Sequence, residues 1–355
     1  MSQILDIALD YLSSEVAPKA EEIDHDRAAL GQALQGLCAR NLMALRRPKE
    51  FGGPNLPELE FRQFQVAVAR TSGSLAFLQT QHQSAGSMIA NGDNPDLKSR
   101  YLPLMADGKK LVGIGFSQLR RPGPPILTAT ESERHYVLNG QVPWVTGLGF
   151  YPEFLVGATC EDGSAVFGVI PFANGDGIEV GEVMRLAAME SPQTVSVSLK
   201  NLALPKENVC FVKPAGWIHQ NDQINITIQG FFAIGCALAG CDVVRSALEK
   251  KPNSVTSRVL SALENEVSDC QEAMIQAQSR STDEVTTQEK LDMRAWAIEL
   301  AVRCALAGIV ATGGSANMAN SRAQRVYREA LVYSVSAQTT PIMEATLERL
   351  VSRTR

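Results

Sequence analysis

Residues 136–147 read Tyr136-Val-Leu-Asn-Gly-Gln-Val-Pro-Trp-Val-Thr-Gly147. The run 135–138 is rich in strand formers and closes on Asn139-Gly140, a turn signal. Outward from it, strand patterns recur at 111–116, 154–158, 165–170, 177–180 and 194–199. Gly, Pro, Asn and Asp separate them, as at Asp162-Gly163. Short strands at this spacing predict an antiparallel sheet or barrel over 111–213.

Both flanks are helical. Ile4, Ile7, Ala8, Tyr11 and Leu12 share one face at helical spacing. Further helices are predicted at 28–42, 59–69, 74–90 and 97–105, with a loop at Pro48-Lys-Glu-Phe-Gly-Gly-Pro54. Beyond the strands, helices are predicted at 228–248, 259–278, 286–312, 320–331 and 341–353. Pro252-Asn253 and Gly313-Gly314 mark the breaks. The fold class is α+β and multidomain: a helical domain at 1–110, a β domain at 111–213 and a helical bundle at 214–355. The order is not an alternating βαβ pattern. No GxGxxG opens a helix after a strand, which argues against a dinucleotide fold of that type.

The chain has 355 residues, 45% hydrophobic and 20% charged, with a formal net charge of −5. This is a globular composition long enough to bury a large core. A mildly acidic balance gives no reason to expect nucleic acid or an anionic membrane as partner. The seven cysteines, Cys38, Cys160, Cys210, Cys236, Cys241, Cys270 and Cys304, form no CxxC pair. Reduced, buried thiols in a cytoplasmic protein are expected, rather than a disulfide frame or a zinc site. Met1-Ser-Gln-Ile-Leu-Asp6 lacks the basic-then-apolar order of a signal peptide. No apolar run reaches the ~18 residues of a membrane span.

Several segments, in this order, resemble the acyl-CoA dehydrogenase family. Pro48-Lys-Glu-Phe-Gly-Gly53 is similar to the family's Pro-Glu-Glu-Tyr-Gly-Gly loop. Tyr101-Leu-Pro-Leu-Met-Ala-Asp-Gly108 is similar to its entry into the β domain. The 136–147 stretch resembles Tyr-Val-Leu-Asn-Gly…Trp-Ile-Thr-Asn-Gly. Leu204-Pro-Lys-Glu-Asn-Val209, Gly313-Gly314 and Tyr327-Arg-Glu-Ala330 complete a collinear series over nearly the whole chain. The resemblance implies FAD at the seam between the β domain and the bundle, with an acyl thioester against the flavin. It also implies a carboxylate that removes the proton α to the thioester.

By that resemblance Trp144 and Thr146 lie beside the flavin ring. Ser117 keeps a hydroxyl where the family has Thr, and Gly313 and Gly314 admit the cofactor. The family's glycine-rich loop is replaced by Ser117-Gln-Leu-Arg-Arg-Pro-Gly-Pro124, whose Arg120 and Arg121 suit either a phosphate or solvent. The family's Gln before the glycine pair is Val310. The Arg-x-x-Phe-Gly segment has no clear counterpart in 248–258, where Arg258 is a weak substitute. The family's Tyr-Glu-Gly-Thr aligns with Ser336-Ala337-Gln338-Thr339, so Ala337 stands where the catalytic base is expected. Asp222 is the weak alternative base. Glu329 and Glu344 are not directed at position 337 by helical spacing. The histidines, His25, His82, His135 and His219, are read as structural or surface residues.

Three functions fit these residues: an acyl-CoA dehydrogenase-like oxidoreductase acting on the CH–CH group of an acyl thioester, a reduced-flavin monooxygenase, and a non-catalytic binding or assembly descendant. The expected partners are a small-molecule substrate such as an acyl-CoA and further copies of the chain, as a homodimer or homotetramer.

Overall fold

A computed structural model describes residues 2–280 and 285–352. Its first part is helical: α1 (Gln3–Tyr11), α2 (Ala20–His25), α3 (Arg27–Ala39), α4 (Glu58–Thr71), α5 (Gly73–Ala90) and α6 (Pro95–Tyr101). Local chemistry sets these ends. Asp26 accepts the Ala29 N–H at 2.7 Å to cap α3, Ser72 caps α5, and Asn94 caps α6 with Pro95 in the first turn.

Eight strands follow among the described residues: β1 (Val112–Gly115), β2 (Leu127–Glu131), β3 (His135–Thr146), β4 (Glu153–Cys160), β5 (Ala165–Pro171), β6 (Ile178–Val180), β7 (Thr194–Pro205) and β8 (Val209–Lys213). They form one sheet in the order β6-β7-β3-β2-β4-β5-β8, with β1 also on β4. The expectation of an antiparallel sheet is corrected here. β1 and β2 both pair parallel to β4, so the sheet is mixed. β2 and β8 lacked a clear strand pattern, and β3 runs unbroken through Asn139-Gly140. That dipeptide is a bulge between Leu138 and Gly140, not a turn. Gly140 has φ +130°, and a Cβ there would lie 2.0 Å from the Ile126 carbonyl oxygen. The glycine serves close backbone approach rather than chain reversal.

The last part holds α7 (Trp217–Ile224), α8 (Gly230–Lys250), α9 (Ser254–Ser279), α10 (Thr287–Thr312), α11 (Arg322–Val335) and α12 (Thr340–Val351). Asn253 caps α9, and Thr286 with Glu289 forms a reciprocal capping box at the start of α10. Gly313 ends α10 at φ 74° and ψ −153°, a conformation open essentially to glycine alone. Met1 and Arg353, which the sequence reading included, lie outside the described residues. α8 packs against α4, α9, α10 and α11. Gly240 is needed there, because a Cβ would lie 2.5 Å from the Cys304 backbone of α10.

The absence of any membrane-length apolar run is also corrected. Gly230–Lys250 and Thr287–Asn317 are long and apolar enough to cross a bilayer by length and composition alone, although 67% of the first one's apolar window is buried within the chain.

Polar contacts join the three parts. Asp24 of α2 is buried, accepts from Ser74 of α5 and pairs with Arg328 of α11. Ser191, in the segment before β7, donates to the Ile23 carbonyl at 2.7 Å. Arg325 pairs with Glu329 one helical turn on, and Glu329 also accepts the Gly73 N–H at 2.9 Å.

Candidate functional site

β3 carries a second irregularity, between Val142 and Val145, that leaves Pro143 and Trp144 without ladder partners on β7. Proline has no N–H to donate, and a bulge re-aims the side chain beside it. The Trp144 indole is consequently 49% exposed, on a strand whose neighbours Val142 and Val145 are fully buried. Two residues on, Thr146 is buried, and its hydroxyl meets that of Thr194 at 2.9 Å across the β3–β7 ladder. An uncovered aromatic face and a nearby hydroxyl are thus fixed by one strand.

Ser117 opens a single 3₁₀ turn, Ser117–Arg120, which packs against β3 and α7. Ser117 is exposed. Gln118 is buried, and its amide donates to the Gly157 carbonyl at 2.8 Å, pinning the turn to β4. Its Oε1 is buried with no partner among the described residues.

Arg120 makes two parallel bonds to Asp222, Nε to Oδ2 at 2.7 Å and Nη2 to Oδ1 at 2.8 Å. The phosphate candidate and the alternative base therefore occupy each other. A carboxylate gripped on both oxygens by a guanidinium is poorly placed to take a proton from a substrate. Arg121 is exposed and has no ion-pair partner in the structure. Asp222→Asn is expected to lower stability by about 1–2 kcal/mol, between exposed and buried ion pairs. Any turnover should stay within about twofold of the parent. Urea midpoints and steady-state rates check this, and abolished turnover with stability intact would make Asp222 the base after all.

Ala337 lies in the turn between α11 and α12, exposed, at φ 46°. Glu329 is fully buried and bound to Arg325; burial, outweighing that cation, raises its pKa above the usual carboxylate range. Glu344 is exposed on α12. The group that does approach the turn was missed in sequence: Arg294 of α10, 1% exposed, donates through Nη2 to the Ser336 carbonyl at 3.0 Å. A charged residue amid Leu291, Ala295 and Ile298 at helical spacing was the available signal.

Gly313 and Gly314 follow α10 in open space, with no atom within 4 Å of a Cβ built at either. Val310, just before them, is 72% exposed. Only Lys251, Pro252 and Asn253 join α8 to α9, so the family's arginine-bearing segment has no room there; Arg258 is exposed on α9. His82 is structural. It is fully buried, accepts the Val112 N–H on Nδ1 at 3.0 Å, and lies 2.9 Å through Nε2 from the Met105 carbonyl. The other three histidines join no group of metal-ligating side chains among the described residues. All seven cysteines are free.

Trp144 and Thr146 thus lie two residues apart on β3, the strand against which the Ser117 turn packs. Ala337, Gly313 and Gly314 belong to the helical bundle.

The model of the acyl-CoA dehydrogenase N-terminal domain matches residues 2–109. The match assigns the N-terminal helical part to the acyl-CoA dehydrogenase N-terminal domain family. The chain is 20% identical to a 3-(aryl)acrylate reductase of Clostridium sporogenes over 95% of this chain and 94% of that protein. Its fold is similar to a glutaryl-coenzyme A dehydrogenase in complex with glutaryl-CoA, with a TM-score of 0.83 at 18% identity, over 99% of this chain and 96% of that one. It is also similar to an acyl-CoA dehydrogenase from Bacillus anthracis complexed with FAD, with a TM-score of 0.79 at 20% identity, over 95% of this chain and 63% of that one.

Proposed function

We propose that this protein is a flavin-dependent oxidoreductase acting on the carbon–carbon bond next to an acyl carbonyl. The observation that carries the reading is Trp144, held out of the β3 ladder with its indole uncovered, two residues before Thr146 on the same strand. Burying an aromatic face against a planar ring is favourable, and leaving 49% of a tryptophan exposed wastes it. The residues present fit FAD, the cofactor of one similar structure. Trp144 would cover the ring, and Thr146 and Ser117 would hydrogen-bond its polar edge. Arg121 is the cation left free for a phosphate, and the open backbone at Gly313 and Gly314 permits close approach. When bound, the flavin supplies the hydride chemistry.

Ala337 bears on direction. Removing a weakly acidic proton α to a thioester needs an oriented base, and position 337 offers none. Protonating that carbon during reduction of a double bond can use water. The reaction this reading assigns is reduction of a 2-enoyl substrate, in which the hydride would come from the reduced flavin and the α proton from water. The relatives support two acyl classes, a thioester from the glutaryl-CoA complex and a free acid from the 3-(aryl)acrylate reductase.

The same reading includes self-association as a homodimer or homotetramer. Tyr327, Leu331 and Val335 form an exposed apolar stripe along α11, supporting that part of it. Free thiols suit a reducing, cytoplasmic setting.

Trp144→Ala is expected to weaken FAD binding about tenfold or more, the loss of one stacked aromatic face. Titration of flavin-free protein with FAD, followed by visible absorbance, measures this. A parent protein that takes no FAD would remove the enzyme reading and leave a binding or assembly role. Equal affinity in parent and variant would move the flavin away from Trp144.

A further inference from the structure

Arg294 of α10 reaches the α11–α12 turn with most of its hydrogen-bonding capacity unused. Its guanidinium has five N–H donors. The single bond to Ser336 uses one nitrogen, while Nε and Nη1 are buried without a partner. Its surroundings are apolar: Ile226, Leu291, Ala295, Ile298 and Ile342 are all buried in the same region. Arg47 and Arg62 also leave Nε buried without a partner among the described residues, but each makes more bonds than Arg294. Arg62 meets Glu58, Arg325 meets Glu329 and Glu21, and Arg47 meets two backbone carbonyls. Burial alone pulls the Arg294 guanidinium down to about 9, and no carboxylate acts to raise it. It is still cationic at neutral pH. A buried cation without a counter-charge is costly, and proteins rarely keep one without a use.

We propose that Arg294 receives the carboxylate of a free-acid substrate, a 2-enoic acid, beneath the Ser336–Ala337 turn. This rests on reading that turn as part of the acyl site and deepens it by naming the substrate class. Ala337 supports the assignment. A glutamate there would bring a second negative charge to the same turn and either repel the acid or pair with Arg294 itself. The small, exposed alanine does neither. A guanidinium at the carboxylate also answers a chemical need. A free enoate is a poor hydride acceptor, because its charge opposes the electrons that arrive, and a fixed cation stabilises the charge that develops.

The test uses the full-length protein loaded with FAD and three probes: cinnamate, cinnamyl alcohol and cinnamoyl-CoA. Binding is measured by calorimetry for the parent, Arg294→Lys and Arg294→Met. Cinnamate should bind the parent, bind Arg294→Lys less well, and bind Arg294→Met at least about tenfold more weakly. The uncharged alcohol should bind weakly and equally to all three. Removing an unpaired buried cation should raise the melting temperature of Arg294→Met, so loss of binding would not be loss of fold. Cinnamate should raise the melting temperature of the parent and leave that of Arg294→Met unchanged. Undiminished cinnamate binding by Arg294→Met, with cinnamoyl-CoA still bound, overturns the role of Arg294 and leaves the acyl site standing. A parent that binds neither cinnamate nor cinnamoyl-CoA overturns both.

Discussion

Arg325→Met is expected to destabilise the fold by about 3–5 kcal/mol, the cost of stranding a buried charge. Glu329 is fully buried, and its Oε1 accepts from Arg325 at 2.7 Å and from the Gly73 N–H at 2.9 Å. Its second oxygen is already without a partner. Gly73 has no room to adjust, since a Cβ there would lie 2.7 Å from Glu329 and from Met189. Arg325 also reaches Glu21 of α2 at 3.3 Å, so its loss loosens the first helical segment from the bundle as well. Urea unfolding of the two single variants and of Arg325→Met with Glu329→Leu measures the effect. The double variant should recover much of the loss, because a shape-filling apolar pair replaces a buried ion pair at little net cost. A double variant less stable than Arg325→Met would show that Glu329 contributes chiefly through Gly73.

His82→Leu is expected to cost about 2–5 kcal/mol at neutral pH, by leaving the Val112 N–H and the Met105 carbonyl unpaired in the core. The same residue gives the parent a pH dependence. Burial lowers the His82 pKa from 6.5 to about 4, against the opposing pull of the Met105 and Val112 backbone. Between those values the unfolded chain takes up a proton that the folded chain refuses. The contribution is therefore complete above about pH 6.5 and is lost as the pH falls through about 4. Its size is about 3 kcal/mol for a wholly buried imidazole. Urea midpoints of parent and variant at several pH values test both statements. An equal acid slope in the two proteins would remove His82 as its source.

Much of the architecture was legible in the chain. Helical periodicity placed α1, α3, α4, α5 and α8 to α12, because one face of each must be apolar to pack. The strands of the core announced themselves by apolar runs between turn residues. β2 and β8 did not, since their exposed faces break the pattern. Asn139-Gly140 misled because a glycine that permits close strand approach looks, in sequence, like one that permits a turn.

Family-like residues were equally legible by type. Trp144, Thr146, Ser117, Gly313, Gly314 and Ala337 could all be named from the sequence. What each side chain meets could not. That Arg120 consumes Asp222, that a bulge turns Trp144 outward, and that Arg325 and Glu329 bind three segments are facts of long-range geometry. Arg294 shows the division most sharply. The sequence determined that an arginine stands in an apolar stripe of α10. Only the tertiary structure decided that it is wholly buried, that it meets one carbonyl of the Ala337 turn, and that no carboxylate among the described residues answers it. The physical reason is that a charge's cost depends on its surroundings, and those are assembled from α10, α11, α12 and the turn before α8, far apart in the chain.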